Sequence, residues 1–370
     1  MKYKKLPYRF VIHGMSTGLR HQRGTTLVEW MVSITIGLIL LAGLTTLIAQ
    51  QSSTQAELEK SSRQIENGRY AMQLLNEDIQ MAGYYGEFSN VAGIPIPGSL
   101  PNPCDVVAAN IEAAMVFPVQ GYDSPATTSG LLSCIDPLNH AAGTDILVVR
   151  RADAATLTIA SAASAAGGQV YLQSGLSASG LEFIKKLGTG VDALSTTVFT
   201  LNKKDKVTLA PLRKFVVHIY FVSPCSVPVS GNSNCSSAAD SGKPIPTLKV
   251  MELSPSGAST VMSTVPLVEG IENMQIDYGF DSNNDGAPDI YATDAALAAN
   301  WATDPAHWGN AMALRVHLLA RNNESSAGPP VVKTYNLGLA GSAPISDNTF
   351  KRRVFSQLIR VVNPSSRRER

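Results

Sequence analysis

The chain has 370 residues, of which 44% are apolar and 16% are charged, and its formal net charge is +1. This composition is too apolar for a disordered chain and is normal for a packed one. Residues 1–24 contain six basic side chains and no acidic one, which leaves residues 25–370 with a net charge of −5. A mildly acidic body gives no support for a nucleic-acid-binding protein.

Residues 30–49 form an uncharged, mostly apolar run of twenty residues. At about 1.5 Å per residue, a helix of this length spans about 30 Å, the thickness of one hydrocarbon core. The basic flank lies before this run and not after it, so the positive-inside rule places the N-terminus in the cytoplasm. We therefore predict a single inner-membrane span, with the remaining residues in the periplasm.

Two ordinary explanations of the apolar run fit less well. A secretory signal peptide has a shorter apolar region followed by a small-residue cleavage site, whereas here the small residue Gly24 precedes the run. A simple membrane anchor accounts for the apolar residues and the charge bias, but not for Glu29. A carboxylate near the end of a spanning helix costs free energy, so such residues usually have a partner.

The arrangement resembles the prepilin signature of type IV pilins, a basic leader that ends in Gly, followed by an apolar helix with Glu at its fifth position. Gly24 and Glu29 match these two positions. The resemblance implies that a prepilin peptidase cuts between Gly24 and Thr25 and that Thr25 is then N-methylated. It also implies that Glu29 pairs with the N-terminal amine of a neighbouring subunit, which would fix the register of the two helices.

This sequence departs from the pilin pattern in two ways. Thr25 would be the first mature residue, where Phe or Met is usual. A leader of residues 1–24 is also long, and a start at Met15 would give one of ordinary length. We therefore expect translation to begin at Met15.

The helical pattern continues through residues 51–83. Apolar side chains recur every seven residues, at Leu58, Ile65, Met72 and Ile79, and most charged residues lie on the opposite face. This predicts an amphipathic helix with one narrow apolar stripe. Small residues between the apolar positions would weaken a coiled coil of two copies, and they favour packing on a sheet. Gly83 is expected to end the helix.

Beyond residue 84 the pattern changes to strands and loops. Consecutive strands after a long helix indicate an antiparallel sheet packed on that helix, an α+β fold. The predicted strands are residues 145–150, 215–222, 247–253, 271–280, 311–321 and 351–362, and a short helix is predicted over residues 292–302.

The expected organisation has four parts. They are a leader (1–24), a transmembrane helix (25–50), an amphipathic extension of that helix (51–83) and a periplasmic globular head (84–370).

Four cysteines occur in the head, and none forms a C-x-x-C pair that would favour zinc. An even number of cysteines in an oxidising compartment predicts two disulfides, although four reduced thiols are the alternative. Three pairings are open. We favour Cys104 with Cys134 and Cys225 with Cys235, because each pair closes a short loop rich in Pro, Ser and Gly.

Several segments of the chain resemble the PilW family of minor pilins, and the likeness runs from about residue 24 to the C-terminus. The segments are residues 67–71, 83–86, 143–151, 267–279 and 351–355. The resemblance implies a low-abundance subunit that helps to initiate assembly of a type IV pilus, is incorporated at its tip and supports twitching motility. Its implied partners are other minor pilins, the major pilin and a large tip adhesin-like protein. Before assembly the head would lie in the periplasm, and afterwards at the cell surface.

Residues 281–289 read Asp-Ser-Asn-Asn-Asp-Gly-Ala-Pro-Asp, which matches the first part of an EF-hand calcium loop. Asp281, Asn283, Asp285 and Asp289 would supply side-chain oxygens, and Gly286 would allow the sharp turn. Position 12 of the loop is Ala292, so the usual bidentate Glu is missing, and Asp294 is a candidate substitute. The alternative is a polar hairpin turn, because Asn-Asp-Gly is a strong turn signal.

The sequence contains no recognised catalytic motif, and its six histidines are scattered. We therefore expect a structural protein and not an enzyme, with His218 and His317 as structural or surface groups. A minor pseudopilin of a type II secretion system is the main alternative, although the corresponding subunit usually has a much smaller head. A membrane-anchored periplasmic enzyme is the second alternative.

Overall fold

The computed structural model describes residues 24–87, 91, 94–165, 167–180, 183–194, 197–229, 233–293, 305–326, 333–345 and 349–369. The chain divides into two compact units, residues 1–56 and residues 57–370. Helix α1 (Leu27–Met81) contributes its first part to the first unit and its second part to the second. Gly83 follows the helix with a φ of +72°, a left-handed conformation that suits glycine, as the sequence predicts.

The larger sheet of the second unit has seven antiparallel strands. The long strand β5 (Leu212–Ser223) is its centre and pairs with β2, β3 and β6, while β1, β4 and β7 extend it. The other strands are β1 (Val119–Tyr122), β2 (Ile146–Ala152), β3 (Val170–Leu176), β4 (Phe183–Thr189), β6 (Thr247–Ser256) and β7 (Ser259–Glu269).

A second antiparallel sheet has four strands in the order β13, β10, β8, β9, and β11 pairs with β12 apart from it. These strands are β8 (Ile271–Phe280), β9 (Ile290–Ala292), β10 (Ala311–Arg321), β11 (Lys333–Asn336), β12 (Ser342–Ile345) and β13 (Arg352–Arg360). Short helices are α2 (Ala108–Ala113), α3 (Ile159–Ala163), α4 (Ala239–Gly242) and α5 (Val362–Arg368). The predicted α+β fold, with a long helix and an antiparallel head, is confirmed.

The second half of α1 packs on both sheets. Its buried side chains Met72, Leu75 and Ile79 share one core with Val250 of β6 and Val316 of β10. Burial of apolar surface at about 25 cal/mol per Å² is the main force that holds the helix there. The helix therefore organises the core of the head.

The buried stripe of α1 differs from the predicted one. Leu58 is 67% exposed, so the stripe does not extend to it. Instead the stripe starts at Gln64, whose amide donates to the carbonyl oxygens of Ala320 and Lys351 at 2.7 and 2.9 Å. Polar residues can occupy a buried stripe when the head supplies hydrogen-bond partners for them.

Asp78 is the second polar member of this stripe and is only 5% exposed. Its carboxylate accepts hydrogen bonds from Arg151 Nε at 2.5 Å, His218 Nδ1 at 2.8 Å and Tyr220 Oη at 2.8 Å. Burial alone would raise the pKa of the Asp78 carboxyl, but His218 and Arg151 outweigh that effect and lower the pKa to about 2. The network connects α1 to β2 and β5.

Gly68 lets α1 approach β13 closely. An added Cβ at this position would lie 2.2 Å from Cε2 of Phe355, so a larger residue forces the ring to move. Glycine is otherwise unfavourable inside a helix, by about 1 kcal/mol relative to alanine. The close contact is therefore the physical reason for a glycine here.

Two disulfides join Cys104 to Cys134 and Cys225 to Cys235, the pairing that we favoured. The segment closed by the second disulfide contacts the chain just after Cys134, because the backbone N–H of Cys235 donates to the carbonyl oxygen of Leu138 at 3.2 Å. Both bonds lie in the larger unit, which begins at residue 57.

All six predicted strand segments coincide with strands, but the other seven strands found among the described residues were not predicted. One of them, β7, is rich in Ser and Thr and contains Pro266, which weakens the strand pattern. The predicted strand at 351–362 ends earlier, since α5 begins at Val362. The predicted short helix over 292–302 lies mostly outside the described residues, and Ala292 itself belongs to β9.

We expect Asp78→Asn to lower the free energy of unfolding by about 3–5 kcal/mol at pH 7, because it leaves Arg151 without its carboxylate partner. The lowered pKa predicts that Asp78 stabilises the fold fully above about pH 5 and loses this effect as the pH falls towards 2. Denaturant unfolding of the detergent-solubilised chain at pH 7, 4 and 2 measures both effects.

The matched control for Asp78 is Glu77→Gln, one position earlier on the exposed side of α1. That variant should stay within about 0.5 kcal/mol of the wild type. The wild type should lose about 2 kcal/mol more than Asp78→Asn between pH 5 and 2. Equal acid sensitivity of these two proteins would contradict the role of Asp78.

Gly68→Ala should destabilise the head by about 1–3 kcal/mol, because steric overlap with Phe355 exceeds the gain in helix propensity. Thermal unfolding of the full chain measures the change. A second substitution, Phe355→Leu, should recover part of the loss by making room for the new methyl group. A more stable Gly68→Ala variant would show that the ring moves away at no cost.

Candidate functional site

The start of α1 is built by the sequence Thr25-Thr26-Leu27-Val28-Glu29. Thr26 is the residue before the first helical turn, and its Oγ1 accepts a hydrogen bond from the backbone N–H of Glu29 at 3.3 Å. This is one half of a capping box, in which a Thr caps a helix that has Glu three residues later. The pattern was visible in the sequence, although we interpreted Glu29 only by its charge.

Both residues at the predicted cleavage position are accessible. Gly24 and Thr25 are exposed and precede the helix in an irregular conformation. An ideal Cβ at Gly24 would meet no other atom within 4 Å. The Oγ1 atom of Thr25 accepts a hydrogen bond from the indole N–H of Trp30 at 3.2 Å. The bond between Gly24 and Thr25 therefore lies outside the helix, in an exposed segment.

The carboxylate of Glu29 is exposed, and within the described part of the chain no Lys, Arg or His forms an ion pair with it. Its backbone carbonyl accepts a hydrogen bond from Ser33 Oγ at 2.7 Å, but this contact does not use the carboxylate. A carboxylate on an apolar helix has a strong requirement for a partner once water is removed. The chain itself provides none among the described residues.

The helix around Glu29 is apolar on all sides and uncovered. Its large side chains from Leu27 to Ile48 are exposed by half or more. The most apolar 18-residue window of α1 has a mean hydropathy of 2.3, and by length and composition the helix can cross a membrane. An exposed apolar surface of this size is characteristic of contact with lipid or with other apolar helices.

A second region brings together the segments on which the resemblance to PilW minor pilins rests. From residues 67–71, Asn67 Nδ2 donates to the carbonyl oxygen of Glu269 at 3.1 Å, and Gly68 lies against Phe355. From residues 351–355, Arg352 forms a bidentate ion pair with Glu272 at 2.5 and 3.0 Å. Residues 67–71, 267–279 and 351–355 therefore meet where α1 lies on the second sheet.

The other two resembling segments, residues 83–86 and 143–151, meet at the end of α1. The N–H of Gly83 donates to the carbonyl oxygen of Arg150 at 2.9 Å, and the N–H of Ala152 donates to that of Tyr84 at 2.6 Å. Arg151 binds Asp78, and the Asp145 carboxylate accepts from the backbone N–H of Ile276 at 2.7 Å. Burial raises the pKa of the Asp145 carboxyl to about 7. The resembling motifs thus meet where the second half of α1 packs on the head.

The predicted calcium loop folds as a tight turn after β8. The buried carboxylate of Asp281 accepts from the backbone N–H groups of Asn283, Asn284 and Gly286 at 2.6–3.1 Å, and from Arg368 Nη1 at 2.9 Å. Burial raises the pKa of the Asp281 carboxyl, but the contacts with Arg368 and the backbone outweigh burial and leave the pKa below its usual value. A guanidinium thus neutralises the first predicted ligand.

The other predicted ligands point into the same turn. The amide of Asn283 donates to Asp285 and to Asp289, both at 3.2 Å, and Asp289 also accepts from Ser282 at 2.8 and 2.9 Å. Within the described ranges, no group of three or more His, Cys, Asp or Glu side chains is arranged to hold a metal ion. The proposed substitute ligand, Asp294, lies outside the described residues. Calcium binding therefore remains a prediction.

The structure contains one constellation that sequence reasoning missed, a row of Ser356, His317 and Asp277 across β13, β10 and β8. His317 Nδ1 lies 2.7 Å from Ser356 Oγ, and His317 Nε2 lies 3.3 Å from Asp277 Oδ2. These residue types also build nucleophilic active sites. Here the backbone N–H of Leu339 also donates to Asp277, at 3.0 Å, so the carboxylate holds a neighbouring loop as well as His317. The row serves to pair neighbouring strands.

Two protein-family models match the chain. The prokaryotic N-terminal methylation motif matches residues 19–45, and the model of the type IV pilus-assembly protein W (PilW) matches residues 231–363, a little over a third of the chain. No curated protein and no solved structure matches it. The first match covers the exposed start of α1, and the second covers the strands from β6 to β13. The chain is therefore a type IV pilin-like protein involved in pilus assembly, and its residues 231–363 are similar to the type IV pilus-assembly protein W.

Proposed function

We propose that this minor pilin is cut after Gly24, N-methylated at Thr25 and assembled into a type IV pilus through the Glu29 carboxylate. The observation on which the proposal depends is that the Glu29 carboxylate, on an exposed apolar helix, has no ion-pair partner among the described residues. Before assembly the helix would span the inner membrane once, with the head in the periplasm. Prepilin peptidase, the major pilin and other minor pilins are then its direct partners.

The partner of Glu29 would be the N-terminal amine of the adjacent subunit. Between apolar helices a carboxylate and an ammonium interact more strongly than in water, because the surroundings have a low dielectric constant. Each charge alone would be costly, so the two helices are stable together only in the register that pairs them. This interaction selects the correct docking position.

The size of the head favours a position at the start of the pilus over a repeated position in its shaft. The second unit comprises residues 57–370 and is stabilised by two disulfides. We propose that it is incorporated at the tip with other minor pilins and an adhesin-like protein, and that it helps to initiate assembly and supports twitching motility. The alternative is a minor pseudopilin of a type II secretion system, for which a head of this size would be unusual.

Glu29→Gln should leave cleavage after Gly24 intact but lower the amount of this subunit in sheared pili at least about tenfold, which corresponds to a loss of about 1.4 kcal/mol. The substitution keeps the shape of the side chain and removes the charge that selects the register. Immunoblots of sheared pili and of membranes measure incorporation and processing. Twitching and protein secretion, assayed in the same strains, separate a pilus from a secretion system.

Thr26→Val is the matched control, since it removes the capping hydroxyl and keeps the Glu29 charge. It should reduce incorporation by no more than about threefold, because one cap contributes about 1 kcal/mol or less in an already stable helix. Normal incorporation of Glu29→Gln would contradict the assembly role. An equal loss in both variants would mean that Glu29 acts by starting the helix.

The loop at residues 281–289 is proposed as a weak calcium site, with an expected dissociation constant of about 0.1–1 mM, as in extracellular modules. Calorimetric titration of the full chain in detergent measures it. Asp289→Asn should abolish the binding heat, while Asp205→Asn, which alters a comparable exposed turn, should not. Absence of heat at millimolar calcium would show that the loop is a hydrogen-bonded turn only.

A further inference from the structure

Lys249 is a buried lysine in the middle of β6. Its side chain is only 2% exposed, and it is among the largest fully buried side chains of the protein. Across the described residues, no carboxylate lies within ion-pairing distance of its Nζ atom, and the polar contact found for that atom is with Asn139. A buried ammonium without a carboxylate partner is costly.

Asn139 is held against this lysine. It is 5% exposed and ends a short 3₁₀ helix, Pro137–Asn139. The Oδ1 atom of its carboxamide lies 3.1 Å from Lys249 Nζ and 2.7 Å from Ser223 Oγ, which donates a hydrogen bond to it. The carbonyl group therefore contacts an amine and, on the same oxygen, a hydroxyl donor.

The surroundings of Lys249 favour its neutral form. Burial lowers the pKa of its amine to about 8, although Asp240 opposes this change. A group with this pKa is neutral in about one molecule in ten at pH 7. The neutral amine has a free electron pair, so it is a nucleophile.

We propose that Lys249 and Asn139 form an isopeptide bond. The electron pair of Nζ attacks Cγ of the Asn139 carboxamide, a new N–C bond forms, and the bond between Cγ and Nδ2 breaks. One proton passes from Nζ to the departing nitrogen, which leaves as ammonia. No oxidant, reductant or further reactant is needed, and the product is a neutral secondary amide.

Three features of the structure support this reaction. The Ser223 hydroxyl is placed to stabilise the negative charge that develops on Oδ1 during attack. The amine and the carboxamide are held together by the fold, which removes most of the entropy cost of bringing them into contact. The amide product also eliminates the buried charge of Lys249, so the reaction relieves an unfavourable interaction of the unreacted fold.

Ammonia has a route out of the site. Asn139 lines a polar surface cavity of about 450 Å³ together with Ser133, Asp136 and Ser233. Departure of ammonia through this cavity would make the bond irreversible. The bond would join the segment after Cys134 to β6, in addition to the two disulfides.

The test is peptide mapping of the purified full-length protein in detergent, after reduction of its disulfides. The expected result is a branched peptide that contains residues 139 and 249, with a mass lower by one ammonia than the sum of the two peptides, and no tryptic cleavage at Lys249. Intact mass should show the same deficit relative to Lys249→Met, after allowance for the substitution. Lys243→Met changes an exposed lysine nearby and should keep the branched peptide.

Peptides with free Lys249 and intact Asn139 in the wild type would overturn the proposal, and this result needs no variant to fold. An ammonia deficit that persists in Lys249→Met would also overturn it, because the ammonia would then come from cyclisation of an asparagine on its own backbone. Loss of the branched peptide in Lys249→Met but not in Lys243→Met supports it.

Discussion

The burial of one stripe of α1 against both sheets is the interaction on which the head depends. Met72, Leu75 and Ile79 supply apolar contacts, while Gln64 and Asp78 supply hydrogen bonds within the same stripe. The apolar contacts provide most of the free energy, and the polar ones admit only one rotation of the helix, because any other would bury them unpaired. Several of the segments that resemble PilW minor pilins pack along this stripe or at its end.

The two ends of α1 have opposite relations to the rest of the chain. In the second unit its buried residues have their partners within the head. In the first unit the Glu29 carboxylate has no ion-pair partner among the described residues, and the apolar side chains around it are exposed. An assembly subunit has this division of properties, since its head must be stable alone while its N-terminal helix must remain available for neighbours. In the proposed function this exposed helix docks on the helices of neighbouring subunits, and the charge of Glu29 selects the register in which they dock.

Patterns among residues close in sequence predicted much of this structure. Features that depend on contacts between residues far apart in sequence were not predicted. The apolar run, Gly24 and Glu29 were evident because their meaning depends on neighbours in sequence, and six strands followed from their apolar residues. Asp78 could not be assigned to the core, because its partners Arg151, His218 and Tyr220 lie far along the chain. Likewise, Asn-Asp-Gly predicted a turn and the residues around it predicted ligands, but Arg368, 87 residues further along the chain, contacts Asp281. Lys249 and Asn139 are 110 residues apart.

The cap at Thr26 has a consequence for the timing of assembly. The first turn of a helix has unpaired N–H groups and a partial positive charge, and α1 begins only three residues after Gly24. While the leader is attached, Gly24 and Thr25 are joined by a neutral peptide bond, so the backbone before this turn carries no charge. The proposed cut would place a positive amine at Thr25, where it repels the positive end of the helix and attracts a carboxylate from another chain. Proteolysis would then act as an electrostatic switch. It would create a repulsion between the new amine and the positive end of α1, and docking against a carboxylate of another subunit would remove that repulsion.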